Sequence, residues 1–252
     1  MHIIGQIENK HVRANPKVHL EYERMRQNQN EIQSMNQTTL IGENCLIVSL
    51  LNIRSLRKHS IDIKYDASLK TSDVIALTET QLLPHHSDSS IIDTLEPYEL
   101  LRQDHHSDKY LSLAICTKPN INVSNTRNFP MVNGWMIEVS KTSTSKPMLF
   151  LLLYRKNNCN TNQYLENLSH IIHNNSVHIL LGDFNINYFT DTSLKPLMNS
   201  LGYIQIVDKP TFVSSGSLLD QIYVQQSIND KIRNDIISVY YSDHDSIQVI
   251  RI

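Results

Sequence analysis

The stretch Val177-His178-Ile179-Leu180-Leu181-Gly182-Asp183-Phe184-Asn185 decides how the chain is read. Val177–Leu181 is an apolar run of strand length without polar alternation, the pattern of a strand covered on both faces. Asp183 and Asn185 stand where the run ends. An acid in that position has an ordinary structural role, capping a helix or bonding its own turn. Taken alone, the segment is a strand and a turn, and its further meaning depends on what the rest of the chain places beside it.

Seven more runs have the same texture: Leu46–Leu51, Val74–Leu77, Leu111–Cys116, Trp135–Val139, Met148–Tyr154, Gln221–Val224 and Ser246–Ile250. Helical patterns lie between them. Ile61, Tyr65 and Leu69 recur every four residues, and Tyr164, Leu165, Leu168, Ile171 and Ile172 form an amphipathic stripe. Leu194, Leu197, Met198 and Leu201 form another, ending at Gly202. Pro196 fits that helix if it begins near Ser193, which puts the proline in the first turn. Strands interspersed with helices predict one layered α/β or α+β domain over 45–252, without internal repeats. Residues 27–44 are Gln/Asn/Ser/Thr-rich and read as a polar linker; residues 1–26 form a separate charged tail.

Composition narrows the function. With 23 Lys+Arg against 25 Asp+Glu in 252 residues the formal charge is -2, which excludes a strongly basic polyanion-binding module. Three scattered cysteines without a CxxC pair give no disulfide framework or zinc site and fit a reducing, intracellular compartment. No apolar run approaches the ~18 residues of a membrane span, and no secretory signal is visible at the N-terminus. Neither GxGxxG nor GxxxxGK[ST] occurs among the six glycines.

Polar residues cluster at run ends: Asn52, Glu79, Asp183 with Asn185, Asp220, and Asp243-His244. Hard oxygen donors without thiolates suit Mg²⁺, with Mn²⁺ as a substitute. A His beside one Asp, with a second Asp to orient its ring, matches the logic of an oriented base. These are parts for metal-assisted phosphodiester hydrolysis.

In order, Asn52-Ile53-Arg54-Ser55-Leu56, Leu77-Thr78-Glu79-Thr80, Leu153-Tyr154-Arg155, Leu181-Gly182-Asp183-Phe184-Asn185, Ser217-Leu218-Leu219-Asp220-Gln221-Ile222 and Ser242-Asp243-His244-Asp245 resemble the endonuclease/exonuclease/phosphatase superfamily, nearest to the endonuclease domains of retrotransposons and related mobile elements. The resemblance runs from about Cys45 to Ile252. It implies a four-layer α/β/β/α sandwich, two mixed β-sheets flanked by helices, and a Mg²⁺-dependent DNA endonuclease that nicks a strand. By the same resemblance Glu79, Asn52 and Asp243 are the metal residues. Asp183 orients or deprotonates the attacking water, Asn185 and Tyr154 hold the scissile phosphate, and Asp220 sets the tautomer of His244, which contacts a phosphate oxygen or acts as base. Arg54, standing where some relatives carry an acid, and Arg155 are expected at the substrate.

Where relatives often carry a Gly-rich stretch, this chain has His105-His106-Ser107-Asp108-Lys109-Tyr110. The pairs His85-His86 and His105-His106 are poor metal ligands, because adjacent side chains rarely point at one ion. Residues 2–26 resemble the extreme C-terminus of the Pif-type helicases of Helitron-like transposons, which implies the terminal piece of a helicase–endonuclease polyprotein or a degenerate copy of one; the expected function implies a nuclear location. Two other readings compete: a phosphatase or phosphodiesterase acting on small or lipid phosphate esters, and a catalytically idle, domesticated DNA-binding module. The near-neutral charge is compatible with DNA as partner, since acids gathered at a metal site are locally offset by the ion.

Overall fold

A strand that is apolar on both faces must send alternate side chains into different cores, and β1 (Leu46–Asn52) does so. Leu46, Val48 and Leu50 enter one core and Leu51 another. The computed structural model describes residues 45–141 and 146–251; the predicted helicase-like tail (1–26) and linker (27–44) lie outside the described residues. One six-stranded sheet has the order β11 (Ile232–Ile237), β12 (Ser246–Arg251), β1, β2 (Val74–Thr78), β4 (Leu113–Thr117), β3 (Glu99–Gln103). The other runs β5 (Asn122–Phe129), β6 (Gly134–Ser140), β7 (Met148–Tyr154), β8 (Ile179–Asp183), β10 (Asp220–Gln225), β9 (Tyr203–Gln205). Both are mixed: β1 with β2 and β7 with β8 are parallel, the remaining pairs antiparallel.

The central core lies between the sheets. Val74, Ala76, Leu113 and Ile115 come from one side, Phe150, Leu152, Ile179, Leu181 and Ile222 from the other. The intervening residues face outward under helices. Ile75, Leu77 and Cys116 pack with Leu56 and Ile63 of α1 (Leu56–Tyr65) and Ile91 and Leu95 of α2 (Ser89–Leu95). Leu151, Leu180 and Tyr223 pack with Tyr164 and Leu168 of α3 (Thr161–Asn174) and Leu194 and Met198 of α4 (Leu194–Ser200). The expected four-layer α/β/β/α sandwich is therefore what the chain forms.

Local departures have physical causes. The Ile61/Tyr65/Leu69 repeat does lie at a helix but does not mark its buried face: Ile61 and Tyr65 are 44% and 71% exposed, and Leu69 belongs to a separate 3₁₀ turn. The inward face of α1 is Leu56, Ser60 and Ile63, with a small polar residue in the middle. The strand expected from Leu111 begins at Leu113, after a 3₁₀ turn over Lys109–Leu111. Ser193 stands at the N-cap position of α4 without a side-chain cap bond, Asp191 Oδ2 accepting from Lys195 N instead; Pro196 sits in the first turn, and Gly202 follows the helix at φ 79°.

Gly182 sits opposite Leu153 in the parallel β7–β8 pairing. A Cβ there would lie 1.9 Å from the Leu153 carbonyl oxygen, so no side chain fits without separating the two strands. Gly182→Ala is expected to cost more than about 4 kcal/mol, beyond the usual range for point changes. Chemical denaturation of the variant checks this; wild-type stability would refute the close approach.

Candidate active site

The two-residue period that fills the central core also builds the site. Asn52 continues the inward set Leu46, Val48, Leu50; Tyr154 continues Phe150 and Leu152; Asp183 continues Ile179 and Leu181; Asp220 precedes Ile222 and Val224. At one end of the sandwich the interior therefore changes from apolar to polar. Strand pairing aligns the pieces, setting Asp183 opposite both Tyr154 and Asp220.

Two hydrogen bonds cross between the sheets there, from Asn52 to Asp183 and between His244 and Asp220, and a third joins Asn52 to Glu79 on its own side. Asn52 Nδ2 donates to Glu79 Oε1 (3.0 Å) and to Asp183 Oδ2 (2.9 Å), and His244 Nδ1 lies 2.6 Å from Asp220 Oδ2. All of these side chains are buried. Asp183 also closes the turn it begins, its Oδ1 accepting from Asn185 N at 2.8 Å. The ordinary turn-bonding role of that acid is thus present, and its other oxygen meets Asn52. Ser242 Oγ donates to the Asn52 carbonyl at 2.7 Å and accepts from His244 N at 3.2 Å, tying the 242–244 loop to the end of β1.

These groups lie in or under a cleft of about 630 Å³. Glu79, Tyr154, Asn185, Asp243, His244 and Arg54 line it; buried Asn52, Asp183 and Asp220 lie behind them, bonded to Glu79, Asn185 and His244. Four of the lining residues (Arg54, Glu79, Gln81, Asn185) have φ between 47° and 54°, which non-glycine residues rarely adopt and which concentrates backbone strain at the cleft. The Tyr154 hydroxyl interacts with the Glu79 carboxylate and the Asn185 amide, and burial together with the Glu79 and Asp183 charges raises its pKa. Arg54 and Asp243 form a partly exposed ion pair at 3.1 Å on the rim.

Arg155, expected at the substrate, does not line the cleft. Its side chain is buried and donates to the Asn185 and Cys159 carbonyls and to Thr161 Oγ1. In the paired histidines, His86 Nδ1 accepts from Leu83 N and His105 Nδ1 from Asp108 N. Sequence reasoning missed Gln81, Thr211, Phe212 and His59. Gln81 Nε2 donates to the Arg54 carbonyl, Thr211 Oγ1 accepts from Asp220 N, and the Phe212 ring packs 4.8 Å from that of His244. His59, on α1, lines the cleft. None of the four sits at the end of an apolar run.

Burial alone would lower the His244 pKa, but the charge and hydrogen bond of Asp220, with Asp183 and Asp243 beyond, raise it to about 9. Asp183 is pushed up to about 7, first by burial and then by the Asp220 charge, against the pull of His244, Asn185 and Asn52. Both shifts favour the protonated form of the group concerned.

No family model matches the chain, and no curated protein does. Solved structures do match. The endonuclease domain of TRAS1, a telomere-specific non-LTR retrotransposon, aligns with TM-score 0.63 at 15% identity, over 82% of this chain and 98% of that one. An AP endonuclease from Archaeoglobus fulgidus aligns with TM-score 0.63 at 12% identity, over 82% and 99%. The human Nocturnin catalytic domain aligns with TM-score 0.62 at 14% identity, over 82% and 93%.

The fold is the endonuclease/exonuclease/phosphatase fold.

Within it, the donor set of this chain fits a hard divalent cation. Glu79, Asp183, Asp220 and Asp243 offer carboxylate oxygens. Buried Asp220 Oδ1 has no hydrogen-bond partner, and neither does Asp243 Oδ1, whose contact with Arg54 is an ion pair without hydrogen-bond alignment. Among the described residues, one His/Asp/Glu group has ligand atoms within 4.8 Å of one another: Asp183, Asp220 and His244. His244 Nδ1 in that group is already engaged by Asp220, and Glu79 and Asp243 are the two carboxylates that line the cleft itself.

Proposed function

We propose that this chain is a divalent-metal-dependent phosphodiester hydrolase that nicks DNA and descends from a transposable element. One observation carries the reading: the Glu79–Asn52–Asp183 hydrogen-bond chain and the Asp220–His244 pair, contributed by both sheets, meet under one cleft. Likeness of fold to two endonucleases supports it, as do the six motifs. The resemblance of residues 2–26 to a helicase terminus supports a helicase–endonuclease polyprotein working on nuclear DNA.

Mg²⁺, or Mn²⁺ in its place, would be held by Glu79, Asn52 and Asp243 and would supply charge neutralisation at the phosphate. The remaining work falls to the chain. Asn185 and Tyr154, side by side on the wall, hold phosphate oxygens. His244, protonated at neutral pH with Nδ1–H on Asp220, presents Nε2–H to a phosphate oxygen as charge develops there. Asp183, held by Asn52 and by the Asn185 N–H beside the phosphate-binding amide, accepts the proton of the attacking water. In this reading Asp183, not His244, takes the base role. Arg54 on the rim contacts the flanking backbone.

Supercoiled plasmid incubated with Mg²⁺ should give open circles, and Asp183→Ala or His244→Ala should abolish them. Turnover of a phosphoinositide without plasmid nicking would replace DNA by a small ester as substrate. A folded protein that does neither, and takes up no Mn²⁺ by calorimetry, would be a binding module. Metal should also stabilise the fold: at 100 times Kd the gain is about 2.7 kcal/mol, or ~5–10 °C in Tm for a domain of this size. Glu79→Gln should remove most of that shift in a thermal melt; an undiminished shift would move the cation elsewhere.

A further inference from the structure

Arg155 is 4% exposed, and among the described residues no carboxylate lies within ion-pair distance of it. A buried guanidinium held only by neutral groups carries a desolvation cost that no anion offsets. Its acceptors are the Asn185 carbonyl (3.3 Å), the Cys159 carbonyl (3.2 Å) and Thr161 Oγ1 (2.6 Å); its face lies 5.8 Å over the Tyr164 ring, and Nε has no partner. The backbone of the same residue grips the same turn, Arg155 N donating to the Asp183 carbonyl (2.8 Å) and the Arg155 carbonyl accepting from Asn185 Nδ2 (2.7 Å).

One residue thus holds the Asp183–Asn185 turn at three points. It ties that turn to the first residue of α3 through Thr161. Asn185 needs such holding, because its φ of 47° is a left-handed conformation that asparagine adopts at some cost. With one Nδ2 hydrogen on the Arg155 carbonyl, the amide is turned so that its other N–H faces Tyr154 and the cleft.

We propose that Arg155 is a positioning residue that acts through Asn185: its guanidinium clamps the Asn185 carbonyl against the start of α3 and thereby aims the Asn185 amide at the phosphate. This rests on the hydrolase reading, and it replaces direct substrate contact by Arg155 with contact through a neighbour.

The test is a double-mutant cycle with a parallel measurement that needs no activity. Arg155→Met keeps the aliphatic stem and removes every donor. Misaiming a contact group by about 1 Å can cost 10²-fold. Arg155→Met should therefore lower kcat on a DNA oligonucleotide ~10- to 100-fold with KM within about twofold, and Arg155→Lys should recover part of the loss. Asn185→Ala should lower kcat similarly, and the double variant should be no slower than Asn185→Ala, because both changes remove one function. Additive losses would overturn the proposal. In ¹⁵N-labelled protein, the Asn185 side-chain amide should show two distinct, exchange-protected protons that merge towards exposed values in Arg155→Met; unchanged resonances in a folded variant would also overturn it. If Arg155→Met does not fold, Thr161→Val removes one anchor of the guanidinium and should give a smaller effect of the same kind on both readouts, with no effect on either counting against the proposal. A wild-type protein without hydrolytic activity defeats the hydrolase reading, and the amide spectrum then still decides whether Arg155 aims Asn185.

Discussion

Asp183→Asn is expected to lower kcat for DNA nicking by about 10³-fold or more and, in the metal-free protein at pH 8, to raise stability. The loss follows from removing the proton acceptor, since positioned general bases contribute ~10²–10⁴-fold. The gain follows from linkage. The folded pKa of Asp183 is raised to about 7 by burial and then by Asp220, so the native state binds a proton more tightly than the unfolded chain does. Stability therefore falls as pH rises from the ordinary carboxylate range through neutrality, and at pH 8 the whole penalty of a buried charge is present. Asparagine imitates the neutral acid and avoids that penalty. A net gain of about 1–2 kcal/mol at pH 8, vanishing below pH 4, is the signature. Urea denaturation at the two pH values with chelator present measures it. An Asp183→Asn protein that still nicks DNA would sink the assignment of the base.

Asp220→Asn should act on His244 in the opposite sense. In metal-free protein the histidine titrates near 9 because Asp220, with Asp183 and Asp243, outweighs its burial. With Asp220 neutral, burial takes over and the pKa should drop to 6.5 or below, as ring-proton NMR would show. A folded pKa above the unfolded value contributes stability fully below 6.5 and loses it as pH rises to 9. The variant should accordingly be destabilised at pH 6 by about 2–3 kcal/mol and nearly unaffected above pH 9. Nicking at pH 7.5 should fall ~10²- to 10⁴-fold, because a neutral, unoriented imidazole no longer donates to the phosphate. A His244 pKa that stays near 9 in Asp220→Asn would remove Asp220 as its partner.

How much of this was legible depends on where a residue sits in a sheet. Interior strands such as Met148–Tyr154 bury both faces and announce themselves as apolar runs. The strands that the apolar runs did not reveal, β3, β5, β9 and β11, are the four edges of the two sheets. An edge strand pairs on one side only and can carry polar residues; β5, Asn122–Phe129, is exposed along most of its length. The buried part of the site was legible because Asn52, Asp183 and Asp220 inherit the inward parity of apolar neighbours. The direction of Arg155 was not, since it follows the last residue of β7 and its partners come from a separate turn and helix. Nor was the exposed face of α1: Ile61 and Tyr65 have helical spacing, but the helix turns Ser60 inward instead.

The bonds from Asn52 to Asp183 and from His244 to Asp220 each join one sheet to the other. Half of the machinery is thus encoded on each side of a seam that closes only when the sandwich does. A nascent chain extending only to Leu219 lacks Asp220, Asp243 and His244, together with β10, β11 and β12. Copies truncated there carry no assembled centre, so the architecture itself delays reactivity until β10, β11 and β12 have been made and docked.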